Sequence, residues 1–255
     1  MLSMIGESRW GTGRTFCPVL PDILSCAVTL YNISGMSPLR AKVVFTSVET
    51  QWISPVVLSE VPFPGTRPFG ALIQDLQPFQ PDATRISVET PSNRISDVAV
   101  RFGLRNGDIQ LSLFYTGFRV GAAPFENSYQ QDLGDISKIA LARLGTQDLL
   151  SPGGRFVLGY QSHLRLEEVS ASDFLRGLLG RPAGLDPDGC SYRFTPQDST
   201  GVNMARVLCE CSVKVNGGLY VQCNLEFEAV PELDRLTGRA LEAVGYAIEL
   251  LGIKF

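Results

Sequence analysis

The chain has 255 residues, 44% of them hydrophobic and 19% charged, with 22 basic residues against 26 acidic ones. Such a chain is globular and buries about 70–75% of its unfolded surface without help from disulfides or metal. A formal net charge of −4 gives no electrostatic case for binding nucleic acid or an anionic membrane.

Residues 1–35 have no clean period. Arg9 and Arg14 precede an apolar run, but Pro18, Pro21 and Asp22 interrupt it where the apolar region of a secretion signal is continuous. The segment reads as a peripheral or partly disordered N-terminal extension. Met36 stands as a second possible start. No apolar run approaches the ~20 residues of a membrane-spanning helix. Six cysteines are too sparse for a disulfide scaffold. The expected setting is therefore cytoplasmic and reducing, with neither membrane nor nucleic acid as partner.

Residues 36–150 form the first half. Lys42 to Glu49 reads as a strand, and Ser54-Pro55 opens a short segment with Pro at a helix-start position. Phe69 to Leu76 reads as a short helix stopped by Pro78, and Arg85 to Thr90 as a strand. A hairpin then runs from Val98 to Tyr115. Asn106-Gly107 suits a two-residue turn that needs positive φ twice. That turn pairs Leu104 with Ile109, Phe102 with Leu111, Val100 with Leu113 and Val98 with Tyr115, all apolar. From Glu126 to Leu144 the spacing of Tyr129, Leu133, Ile136, Ala140 and Leu144 predicts an amphipathic helix.

Residues 151–255 repeat the order. Arg155 to Glu168 alternates, with Phe156, Leu158, Tyr160, Leu164 and Leu166 on one face and Gln161, His163, Arg165 and Glu167 on the other. Ser172-Asp173 starts a short helix that Gly180 and Pro182 stop, and Ser191 to Thr195 is a strand. A hairpin around Asn216-Gly217-Gly218 follows, then a long helix from Pro231 to Leu251. Each half thus reads strand, short helix, strand, hairpin, long helix. The fold class expected is α+β: antiparallel sheets packed against long helices, in two similar halves that sit side by side or merge.

The second hairpin carries Cys209, Cys211 and Cys223. A three-residue loop at 216–218 pairs Cys211 with Cys223, Cys209 with Leu225 and Val207 with Phe227, making one face wholly apolar. All three cysteines then lie inside as small hydrophobes. A Cys211–Cys223 disulfide is reachable in that register. A zinc site would need a fourth ligand, for which Cys190 is a candidate, but the surroundings are aliphatic.

Little else looks like chemistry. His163 is the only histidine, on the polar strand face and away from the cysteines, which weakens acid–base and Cys–His mechanisms. Gly6 to Gly13 has the glycines of a phosphate loop without the Lys-Ser or Lys-Thr that must follow. No catalytic or metal-binding residue is assigned and no cofactor is implied. Outward residues of the polar faces, Arg101, His163, Arg165 and Glu210, are the candidates for contacting a ligand or partner.

Ser37-Pro38-Leu39-Arg40-Ala41-Lys42-Val43-Val44-Phe45 and the close Leu250-Leu251-Gly252-Ile253-Lys254-Phe255 together resemble the opening and close of a sporadically distributed, uncharacterised bacterial protein family of similar length. The resemblance spans residues 36–255 and implies a bacterial cytoplasmic protein. It implies no activity or catalytic set. The first 35 residues and the three hairpin cysteines depart from it.

Three functional classes follow. The leading one is a non-catalytic binding or protein-interaction module, with a protein or small ligand as partner. The alternatives are an enzyme with a motif-free polar site between the halves, and a subunit of a larger assembly.

Overall fold

The computed structural model describes residues 39–58, 61–90, 94, 98–144, 154–179, 189–195, 202–227 and 233–254. The expectations for residues 1–35 lie outside them. Strands are β1 (Leu39–Ile53), β2 (Ile86–Glu89), β3 (Ala99–Leu104), β4 (Ile109–Phe114), β5 (Gly117–Ala122), β6 (Arg155–Leu166), β7 (Gly189–Phe194), β8 (Val202–Cys211), β9 (Leu219–Phe227) and β10 (Ile253–Lys254). Helices are α1 (Arg67–Asp75), α2 (Tyr129–Arg143), α3 (Ala171–Leu179) and α4 (Leu233–Leu250).

Nine strands form one antiparallel sheet in the order β2-β3-β4-β5-β1-β6-β9-β8-β7, and β10 adds to β1 in parallel. This corrects the expected architecture of antiparallel sheets packed against long helices: of the two arrangements left open, side by side or merged, the strands form one sheet. Strands dominate, and the four helices are short, of 9, 15, 9 and 18 residues. Two physical reasons account for the difference. First, β1 and β6 pair along almost their whole length, from Ala41↔Leu166 to Ile53↔Arg155. Each thereby satisfies backbone donors and acceptors that a separate sheet would leave open at an edge. Second, Gly117 to Ala122 alternates Phe118, Val120 and Ala122 inward, yet its two end-flanking glycines hide the strand signal in the sequence. That strand, β5, links the β3–β4 hairpin to β1.

Alternation separates two faces. On the covered face an aromatic row crosses four adjacent strands: Phe118, Trp52, Phe156 and Phe227 are successive register partners. The ring centroids of Trp52 and Phe118 lie 6.5 Å apart, those of Phe118 and Phe156 6.4 Å, and those of Phe156 and Phe227 6.3 Å. These are separations at which tilted and edge-on aromatic pairs attract. Trp52 and Phe156 are each 1% exposed. One polar contact pins α2 to the same face. Thr50 and Ser137, both fully buried, share a 2.9 Å hydrogen bond, and Ser137 donates to the Leu133 carbonyl at 2.7 Å.

Helix α2 begins three residues later than Glu126 and buries Leu133, Ile136 and Ala140 as its spacing predicts. Helix α1 is capped by Thr66, whose hydroxyl accepts from the Phe69 amide at 3.3 Å, with Pro68 in the first turn. Helix α3 is capped by Ser170, not Ser172: the Ser170 hydroxyl accepts from the Asp173 amide at 3.1 Å. Ser54-Pro55 starts no helix.

Three of the four β3–β4 pairs read from the sequence are present, Leu104↔Ile109, Phe102↔Leu111 and Val100↔Leu113; the ladder ends at Ala99↔Phe114, short of Val98 and Tyr115. The second hairpin differs. Its partners are Cys211↔Leu219, Cys209↔Val221 and Val207↔Cys223, joined by a longer loop at 212–218. The Ser212 hydroxyl closes that loop by accepting from the amides of Lys214 (3.2 Å) and Val215 (2.9 Å). This ends the ladder early and leaves Val213 95% exposed. The slip moves the partner of each residue by four positions, an even number, so residues keep their faces. Cys209 and Cys223 are buried, as expected, but Cys211 is exposed at the strand end, and no Cys211–Cys223 pair exists.

Replacing Trp52 or Phe156 by Ala removes one member of the aromatic row and is expected to cost about 3–5 kcal/mol. Urea unfolding followed by far-UV circular dichroism measures it. A loss under about 1 kcal/mol would show that the row is not what joins the two sides of the sheet.

Candidate functional site

The opposite face of the sheet is polar, and its middle forms a depression of about 590 Å³. The reason lies in one cross-strand row. Gly103, Gln110, Gly121, Glu49 and Gly159 are successive partners across β3, β4, β5, β1 and β6. Every second strand contributes a glycine, so the floor is bare backbone between two polar side chains. A Cβ at Gly121 would meet nothing nearer than 3.7 Å. Gly103 instead lies under the Arg85 side chain, where a Cβ would sit 2.8 Å from Cβ of Arg85.

The walls carry three arginines, Arg85, Arg101 and Arg119, and three carboxylates, Glu49, Glu89 and Asp108. Two arginines pair with wall carboxylates, Arg101 with Glu89 at 2.8 Å and Arg119 with Glu49 at 3.1 Å; Arg85 pairs with Asp82 at 3.3 Å, and Asp108 accepts from the Tyr129 hydroxyl at 2.9 Å. Arg85 also donates to the Asn106 carbonyl. The Arg101 Nε is buried without a hydrogen-bond partner among the described residues. Burial pushes the Glu49 carboxyl above the usual carboxylate range, against the opposing pull of Arg119. The depression is thus a trough of balanced charge whose floor is largely free of side chains.

The four candidates from the sequence all lie on this face but in two places. Arg101 lines the trough. His163 and Glu210 sit on a different row, His163↔Tyr220↔Glu210, with Arg165 two residues further along β6 opposite Lys42. Glu210 and Arg165 are exposed. His163 is not the solvated histidine that the alternation suggested; it is only 6% exposed. The 212–218 loop folds over it. Phe45 lies 6.0 Å and Tyr220 5.0 Å from its ring, and the Lys214 ammonium caps Phe45 at 3.7 Å.

Its protonation follows from bond counting. Ser212 already accepts two amide hydrogens, so its own hydroxyl hydrogen goes to His163 Nδ1, 2.7 Å away. The imidazole is therefore neutral, with its hydrogen on Nε2. Burial, then the nearby Lys214 charge, pull its pKa below the usual histidine range.

Glu49, Arg119, Arg85 and the three floor glycines were not singled out from the sequence. The available signal was Gly-Phe-Arg-Val-Gly-Ala at 117–122, whose alternation puts Arg119 and Gly121 on the face opposite Phe118 and Val120. Among the described residues no group of three or more His, Cys, Asp or Glu side chains is placed to hold a metal. No helix among them is long and apolar enough to cross a membrane. The chain matches no protein-family model, no curated protein and no solved structure.

Because His163 is neutral and its folded pKa is depressed, the unfolded chain binds the proton first as pH falls. Its stabilising contribution is complete above about pH 6.5 and is lost as pH drops from there through the folded value. Urea midpoints at about pH 7.5 and about pH 5.5 are expected to fall with pH in the native chain, and His163→Gln is expected to shrink that drop. An equal drop in both would show that His163 does not titrate with unfolding.

Proposed function

We propose that the protein is a non-catalytic binding module whose open sheet face holds an extended polar segment of a partner protein. One observation carries this reading: a glycine-floored trough lined by equal numbers of arginines and carboxylates. Small-molecule sites are mostly apolar and enclosed. A trough with a floor of glycines and alternating charge on its walls instead suits an extended chain that packs its backbone on the glycines and offers charges of both signs to the walls. Each side chain of an extended segment repeats at period two and can exchange with an existing ion pair. The wall pairs are part-exposed, with side chains 34–53% accessible, and each is worth only about 0–1 kcal/mol, so exchanging them is cheap. A cytoplasmic location fits, as does the resemblance to the uncharacterised bacterial family. In that reading the two stretches that carry the resemblance are joined in space, since Leu39 and Arg40 pair with Ile253 and Lys254.

A second reading has one observation in its favour. Glu49 lies at the centre of the trough, where β1 meets β6, with its carboxyl held above its usual range by burial. A carboxyl so placed can serve as a general acid, which supports an enzyme with a motif-free site.

Panning a random displayed-peptide library against the full chain is expected to yield binders that carry both acidic and basic residues. Gly121→Leu fills the floor without a backbone clash, and is expected to weaken them about tenfold or more, near 1.4 kcal/mol. Binders indifferent to Gly121→Leu would overturn the assignment of the trough. Turnover of a bound peptide that Glu49→Gln abolishes would replace the binding reading with the enzyme one.

A further inference from the structure

The described cysteines fall into a pattern that the binding reading does not use. Cys190 on β7 and Cys209 on β8 are direct register partners in an antiparallel pair. Both belong to the covered face, so the register sets their thiols side by side. Opposed residues in such a pair have Cα atoms about 4.5–5.5 Å apart, inside the range a disulfide spans. The strands approach closely here. At Gly189, the residue before Cys190, a Cβ would lie 2.6 Å from the Cys209 carbonyl oxygen. Access differs between the two thiols. β7 is the last strand of the sheet, and Cys190 is half-buried, while Cys209 is fully buried. Cys223 opposes Val207, one pair further along, and Cys211 is exposed at the far end of β8 without a cysteine partner.

We propose that Cys190 and Cys209 form a reversible cross-strand disulfide when the protein meets a hydroperoxide. Cys190 is the attacking thiol. The neighbouring Cys209 thiol favours the Cys190 thiolate and lowers its pKa, whereas the same contact, then burial, raises that of Cys209. The Cys190 thiolate takes the outer oxygen of the hydroperoxide, breaking the O–O bond and releasing an alcohol, or water from hydrogen peroxide. Cys190 is then a sulfenic acid. The Cys209 sulfur attacks the Cys190 sulfur, the S–O bond breaks, and the oxygen leaves as water with the thiol proton. Two thiols give up two electrons and one peroxide is reduced. The bond ties the edge strand β7 to the sheet, and exchange with a dithiol reverses it.

The test treats the full chain with hydrogen peroxide, blocks free thiols and maps peptides after cleavage at Arg, Lys and Glu. Cleavage at Glu210 separates Cys209 from Cys211. The expected result is a Cys190–Cys209 linked peptide that dithiothreitol removes. In Cys209→Ser, dimedone is expected to trap a sulfenic acid on Cys190. In Cys190→Ala, a half-buried position that tolerates the change, Cys209 is expected to stay reduced. Cys190 and Cys209 both blocked as fully as in untreated protein would overturn the proposal. So would a Cys209–Cys223 link, or oxidation confined to Cys211.

Discussion

The rest of this molecule depends on the pairing of β1 with β6. It places the first long strand of each half of the chain at the centre of one sheet, with the other strands of each half extending outward on either side. The aromatic row runs directly across that seam, from Phe118 and Trp52 to Phe156 and Phe227. The seam is irregular at one point. A bulge between Val43 and Phe45 turns Val44 outward and leaves it 49% exposed. Beyond the bulge, Thr46, Val48, Thr50 and Trp52 face the core in strict alternation with Phe45, Ser47, Glu49 and Gln51, so the bulge sets which side chains reach the open face.

The trough is a consequence of the same seam. Glu49 of β1 lies between Gly121 of β5 and Gly159 of β6 only because those three strands are neighbours in this register. A slip of one residue in the central pair would exchange the glycines for core residues and remove the floor. The wall charges follow similarly. Arg119 reaches Glu49 across the β5–β1 pair, and Arg101 reaches Glu89 across the β3–β2 pair.

At the other side of the sheet, polar groups fix structure. Ser212 closes the 212–218 loop through two amides and holds His163 in one tautomer. The loop in turn shields a histidine that alternation alone would leave in water. The same closure sets the β8–β9 register and so decides the fate of the cysteines. Cys211 is carried to the surface and Cys209 is set opposite Val221, while the separate β7–β8 register places Cys190 opposite Cys209.

Local pattern determined a good deal by itself. The alternation of β6, the core partners of the β3–β4 hairpin, the buried face of α2 and the inward placing of Cys209 and Cys223 are all legible in the sequence. Each follows from a period of 2 or 3.6 acting over neighbouring residues. The site was legible only in part, as Arg101 on a polar face, because its other members come from strands far apart in the chain. Tertiary structure decided that two runs of strands become one sheet, which residues share a cross-strand row, and that a loop covers His163. The physical reason is common to all three. Strand pairing joins backbone groups that carry no sequence signature, so partner choice and register emerge only when every edge competes for the same hydrogen bonds.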